Sequence, residues 1–272
     1  MIWHCQGDEN MIDLKKETYG FDDLREIMIL LRDPKDGCPW DAAQNHASIR
    51  KDFLEEVYEV CEAIDRKDNT LLCEELGDVL LQVAFHTRLA EEEGAFTMAD
   101  VTTGICKKMI ERHPHIFGDH EKLDTPESTF AVWDAVKAQE KHQRTYTDTM
   151  NDVAKTLPAL MYANKVQGRA KKSGFDWPSV AGAMDKVREE TAEVQACLDK
   201  GEEISEELGD LLFAAVNVAR MQSVDPEEAL LRATQKFMAR FALVEQAAGD
   251  RLKTMSIEEM TALWEQAKTQ TT

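Results

Sequence analysis

No stretch of this 272-residue chain approaches the ~18 consecutive apolar residues of a membrane span. The first twenty residues, MIWHCQGDENMIDLKKETYG, lack a basic start followed by an apolar run of signal-peptide length. These absences predict a cytoplasmic protein with no membrane partner; Met11 is available as a second start. Glycine and proline are sparse, at 13 and 7 residues, in a chain that is 31% charged. That leaves few enforced helix breaks and no low-complexity segment. The six cysteines, at 5, 38, 61, 73, 106 and 197, show neither C-x-x-C spacing nor the density of a secreted disulfide scaffold, which argues for free thiols in a reducing cytosol. Basic residues are also in deficit, 32 against 52 acids, for a net charge of −20. A nucleic-acid partner is therefore not expected, because that affinity comes from concentrated Lys and Arg. An anionic small substrate remains compatible, since metal ions gathered by carboxylates bind phosphates whatever the global charge.

What is present is a repeat. ELGDVLL (75–81) returns as ELGDLLF (207–213), an offset of 132 (207 − 75). EEVYEV (55–60) answers to EETAEV (189–194), Lys108-x-x-x-Arg112 to Lys236-x-x-x-Arg240, and Trp133-x-x-x-Lys137-x-Gln139 to Trp264-x-x-x-Lys268-x-Gln270. Similar composition would make helices alike, but it does not explain landmarks recurring in one order. Apolar residues fall at helical spacing, as in Leu54, Val57, Val60, Cys61 and Ile64, and strand alternation is absent. The reading is an all-α protein of two tandem modules: an extension at 1–20, a first module at 21–142, a polar linker at 143–158 and a second module at 159–272.

Within each module the acids are patterned. Glu56 and Glu59 are i, i+3 neighbours, Glu55 and Glu59 are four apart, and Glu75 and Asp78 form a second i, i+3 pair one helix later; Glu189, Glu190, Glu193, Glu207 and Asp210 repeat the set. Like charges at such spacing cost a helix roughly 0.2–0.5 kcal/mol per pair, a conflict that a bound dication removes. Carboxylate oxygens without His or Cys favour Mg²⁺, with Mn²⁺ as a substitute, over Zn²⁺. A di-iron carboxylate bundle would need Glu-x-x-His, and no histidine here has Glu three residues before it. His113 and His115, flanking Pro114, are read as capping or surface residues rather than metal ligands.

E-E-x-x-E followed by E-L-G-D, with GCPWD ahead of the first copy and GFDW ahead of the second, resembles the MazG family of nucleoside triphosphate pyrophosphohydrolases in its tandem two-domain form. The resemblance covers about residues 21–272. It implies helical modules that each form a bundle with a twin in a homodimer. It further implies Mg²⁺-dependent hydrolysis of nucleoside triphosphates between the α- and β-phosphates, giving a monophosphate and diphosphate. By the same carry-over Glu190, Glu193, Glu207 and Asp210 ligate metal, and Glu189 completes the cluster by orienting or deprotonating the attacking water. Phosphoryl chemistry also needs cations. Lys236 and Arg240, four apart, are candidates for catalysis at the phosphates, and Lys165 and Arg169 for substrate binding. Trp177 and Trp264 are candidates to stack on the base, with Phe175 a weaker one, which suits broad base tolerance.

The halves differ. Asn217, two turns after Asp210, faces the metal side and is added to the substrate set, whereas Phe85 stands at the aligned position; Met28 stands where the second half has Lys165. The second half is therefore expected to carry most of the catalysis. Glu55, Glu56, Glu59, Glu75, Asp78, Lys108 and Arg112 would form a weaker site. The competing reading is a non-catalytic acidic helical metal-binding scaffold. Nucleotide-pool sanitising and alarmone depletion are both compatible with the resemblance.

Overall fold

The computed structural model describes residues 16–118, 125, 129, 132, 133, 136 and 145–271. Residues 1–15 of the expected extension, Lys137, Gln139 and the first two residues of the expected linker lie outside them. The described residues contain helices and no strand, and no helix among them is long and apolar enough to cross a membrane. The chain divides into two compact units, Met1–Val136 and Lys137–Thr272.

The first unit comprises α1 (Phe21–Leu31), α2 (Pro39–Ala43), α3 (Arg50–Arg66), α4 (Asn69–Glu92), α5 (Met98–Arg112) and α6 (Pro114–Phe117). Lys67, in a left-handed conformation (φ 55°), ends α3, and Asp68 caps α4 by accepting from the Thr70 and Leu71 amides at 3.0 and 3.1 Å. So short a connection makes α3 and α4 a helical hairpin. They form the most extensive helix pair of this unit, and α1 packs on α4. The core is built of large side chains: Met28, Ile49, Phe85 and Leu89 are buried around Ala84, with Phe21, Leu24, Leu31 and Leu81 against them.

The second unit repeats the hairpin. After α7 (Tyr146–Asn151) and α8 (Ala159–Lys171), α9 (Val180–Lys200) and α10 (Ser205–Met221) make the most extensive pair, followed by α11 (Pro226–Ala248), a 3₁₀ turn (Gly249–Thr254) and α12 (Ile257–Gln270). Gly201, at φ 72°, closes α9. Helix α8 packs on α10, and α12 on α11. Buried positions here are mostly small: Ala183, Ala214, Ala248 and Ala267, with Val216 and Val244. Part of the polar stretch read as linker folds. Thr145 and Asp148 cap α7 reciprocally, α7 packs on α8, and Val153 is buried.

Candidate active site in the second helical hairpin

The paired carboxylates converge in both units. In the first, one carboxylate oxygen each from Glu56 and, across the hairpin, Glu75 and Asp78 lie within 4.8 Å of one another. Glu59 on α3 is close to them electrostatically. Burial first, then the charges of Asp78 and Glu59, push the Glu56 carboxyl up; burial and Glu59 do the same to Glu75. In the second unit the trio within 4.8 Å is Glu190, Glu193 and Glu207. Asp210, which the sequence places with them, is exposed and shares a cavity wall with Glu190. Each trio thus draws three of the same four aligned positions, and both hairpins bring acids from two helices to one spot.

Glu190 is only 3% exposed and its Oε2 is buried with no hydrogen-bond partner, while its Oε1 is 2.5 Å from Lys186 Nζ. That ammonium also reaches Glu189 Oε1 at 2.9 Å. Lys186 holds Glu190 below the usual carboxylate range, while Glu190, close enough to share a proton with Glu193, pushes Glu193 above it. A ring of hard oxygens, one orphaned and one disfavouring its own charge, fits a small divalent cation. The exposed carboxylate of Glu189 stands beside the trio on the preceding residue of α9.

A cavity of about 550 Å³ opens beside this trio, with Lys186, Glu190 and Asp210 at its acidic side. Its other walls come from α8 (Val166, Gln167, Ala170), from the GFDW loop and from Phe213, Ala214 and Asn217 of α10. Trp177 lines it and is seated against Gly182, where an added Cβ would lie 2.9 Å from the indole. Phe175 also lines it, largely exposed. Asn217 faces the cavity and accepts at Oδ1 from Arg220 (Nε at 3.1 Å, an Nη at 2.6 Å); the same guanidinium pairs with Asp176 of the loop and holds that carboxyl below its usual range. Lys186, Arg220, Asp176 and Gln167 were not singled out from sequence. Lys186 carries a signal in its i, i+3 and i, i+4 spacing to Glu189 and Glu190, Arg220 in its i, i+3 spacing to Asn217, and Asp176 in its place within GFDW.

Other candidates stand apart from the cavity. Lys165 and Arg169 are on α8 but are not among its lining residues. Arg169 does have a first-half counterpart, because Arg32 stands eight residues before Trp40 as Arg169 does before Trp177. Lys236 is exposed on α11, and Arg240 donates to Thr271 Oγ1 at 2.8 Å and lies over Trp264, 6.0 Å from the ring. Trp264 packs against Phe237, with centroids 5.2 Å apart. Lys108 is exposed and Arg112 half-buried on α5, while the His113 ring nitrogen turns back to the Met109 carbonyl at 2.5 Å.

Where the hairpins align, described residues of the first unit fill the positions that line this cavity in the second. Ile49 replaces Ala183, and Phe85, buried at 4% exposure, replaces Asn217. The crevice lined by Arg25, Thr87 and Glu91 measures about 10 Å³.

Known proteins bear on both hairpins. The model of the MazG nucleotide pyrophosphohydrolase domain matches residues 44–117 and 179–243, segments that contain both sets of paired carboxylates. A Thermotoga maritima protein named nucleoside triphosphate pyrophosphohydrolase/pyrophosphatase MazG is 43% identical over 258 residues, covering 94% of this chain and 98% of the relative. The Escherichia coli K12 nucleoside triphosphate pyrophosphohydrolase is 42% identical over 257 residues, covering 92% and 97%. The uncharacterized protein YabN of Bacillus subtilis is 44% identical over 254 residues, covering 91% of this chain and 51% of its own length. With both hairpins matched and full-length relatives aligned almost end to end, the chain belongs to the MazG nucleotide pyrophosphohydrolase family.

Proposed function

We propose that the second unit hydrolyses nucleoside triphosphates to a nucleoside monophosphate and diphosphate, with Mg²⁺ held by Glu190, Glu193, Glu207 and Asp210 and Mn²⁺ able to substitute. The observation that carries this is the adjoining of a carboxylate trio and an apolar-walled cavity of about 550 Å³, with Glu190 shared between them. A nucleotide has those two halves: a charged phosphate chain and a flat apolar base. The names of the two full-length relatives point the same way.

The bound metal would supply charge neutralisation on the phosphate oxygens. Glu189 orients the attacking water and takes its proton, and Lys186, bridging Glu189 and Glu190, fixes both carboxylates and adds positive charge at the phosphate end. Lys236 and Arg240 are assigned to the leaving diphosphate, and Lys165 and Arg169 to outer phosphate contacts. Trp177 flanks the base and Asn217 donates to it; Trp264, half-buried against the exposed Phe237, is kept as a second stacking candidate. The Asp176–Arg220 pair ties the loop bearing Trp177 to α10.

For the first unit the scaffold reading is favoured, because beside Glu56, Glu75 and Asp78 the larger Ile49 and Phe85 stand where the second unit has Ala183 and Asn217; Glu55, Glu59, Lys108 and Arg112 belong to that weaker site. The working division is a module at 21–142, a connection at 143–158 and a module at 159–272, in a cytoplasmic homodimer.

Purified chain incubated with Mg²⁺ and a panel of normal, oxidised and deaminated triphosphates tests the reading. Monophosphate and diphosphate are expected, and their ranking separates pool sanitising from a general role. Release of inorganic phosphate and a nucleoside diphosphate, or no turnover, would refute it.

A further inference from the structure

The apolar end of the cavity carries two side-chain amides whose orientations are fixed in opposite senses. Gln167 on α8 is 7% exposed, and its Nε2 donates to the Phe213 carbonyl of α10 at 2.8 Å. A carbonyl only accepts, so the amide nitrogen must face Phe213 and the oxygen must face elsewhere. That Oε1 is buried and accepts from nothing in the chain. A buried acceptor without a donor forfeits its hydration, and proteins seldom leave one so. Asn217 is the converse. Its Oδ1 is taken by the Arg220 guanidinium, which has no acceptor, so the Asn217 amide can only lie with its NH₂ turned away from Arg220. Both residues line the cavity, from helices that pack against each other.

We propose that Gln167 is the residue by which the cavity recognises a nucleobase, its Oε1 accepting an N–H from the base's pairing edge while the Asn217 NH₂ donates to the neighbouring acceptor. This rests on the reading of the cavity as a nucleotide site. Each common base shows an N–H and a lone pair side by side: N6–H and N1 in adenine, N1–H and O6 in guanine, N4–H and N3 in cytosine, N3–H and O4 in uracil. The two groups stand in one order in adenine and cytosine and in the reverse order in guanine and uracil, so the same amide pair accepts all four bases by letting the ring turn over on its stacking wall. Trp177 and Phe213 supply apolar wall around that edge. Rejection of a base lacking the N–H follows from the two amides, and tolerance among the natural bases from their combination with a sequence-blind stacking wall.

The test compares ATP with purine riboside triphosphate, which has the same phosphates, sugar and ring but no amino group, and with dATP, which lacks the sugar 2′-hydroxyl. In wild-type protein the kcat/KM for purine riboside triphosphate should fall about ten-fold or more below that for ATP, while dATP stays close to ATP. In Gln167→Met the ATP-to-analogue ratio should collapse toward one, because ATP loses its partner and the analogue has none to lose. Equal use of ATP and the analogue by wild type, an unchanged ratio in Gln167→Met, or a loss that follows the sugar hydroxyl would each overturn the assignment. Calorimetric binding of AMP against purine riboside monophosphate reads the same ratio without turnover. An inactive protein that still prefers AMP would thus sink the hydrolase reading and keep this one. If Gln167→Met fails to fold by circular dichroism, the wild-type comparison of ligands decides alone.

Discussion

Arg32 shows how much one side chain can organise. At 8% exposed it donates to both oxygens of Glu92 at 3.0 and 2.7 Å, to the Asp41 carbonyl at 2.5 Å and to the Gln44 carbonyl at 3.2 Å, and its guanidinium lies over Phe85. It thereby fastens α1, α2 and α4 together. The Arg32 hydrogen bond, opposed by burial, holds the Glu92 carboxyl below its usual value of 4.5. Its contribution to stability is therefore present above 4.5 and is lost as pH falls through the lower folded value. Arg32→Met is expected to destabilise the first unit by about 2 kcal/mol at pH 7, between exposed and fully buried pairs. Urea unfolding should show the gap to wild type narrowing in acid to what the two carbonyl bonds and the Phe85 contact contribute; a gap independent of pH would mean the ion pair contributes nothing. Neither Arg32 nor Arg220 shows its carboxylate partner in the sequence, because Glu92 lies 60 residues from the one and Asp176 44 from the other. Local spacing reveals i, i+3 and i, i+4 partners only. The carboxylates were legible because an i, i+3 pair on one helix, and then on the next, carries them in both halves.

At the scale of elements, α3 with α4 and α9 with α10 are the same device with different fillings. Helix identity, the hairpin and the convergence of acids could be read from periodicity and repetition. The cavity could not, since it is a difference in volume between aligned positions, Ile49 against Ala183 and Phe85 against Asn217. The Asn217 exchange was visible, but as a change of polarity; that it also vacates space depends on what packs around it. Likewise α7 was hidden in a polar stretch whose Thr145-x-x-Asp148 cap was the available signal. Ala183→Ile imports the first unit's filling. It should raise KM for triphosphates about ten-fold or more while leaving Mg²⁺ binding, read by calorimetry, unchanged. An unaltered KM would show that the cavity does not receive the nucleotide.

For the molecule as a whole, composition and periodicity were enough to specify an all-α protein, but not what its apolar faces meet. Among the described residues of the second unit Leu208 and Leu212 on α10 and Leu230, Phe237 and Phe241 on α11 are exposed, as are Leu54, Val57, Leu76 and Leu80 on the first hairpin. Apolar surface on that scale is normally covered, and hairpins of few helices complete a bundle most simply with a copy of themselves. Sedimentation equilibrium at micromolar concentration should give twice the 30.8 kDa of one chain; a monomer would leave these faces unexplained. The trio that pairs with the cavity is the centre of the functional account, and magnesium-dependent diphosphate release by two single variants tests it most directly. Glu190→Gln should lower kcat by about 100-fold or more and Glu56→Gln should leave most turnover intact, whereas loss in Glu56→Gln with retention in Glu190→Gln would contradict it.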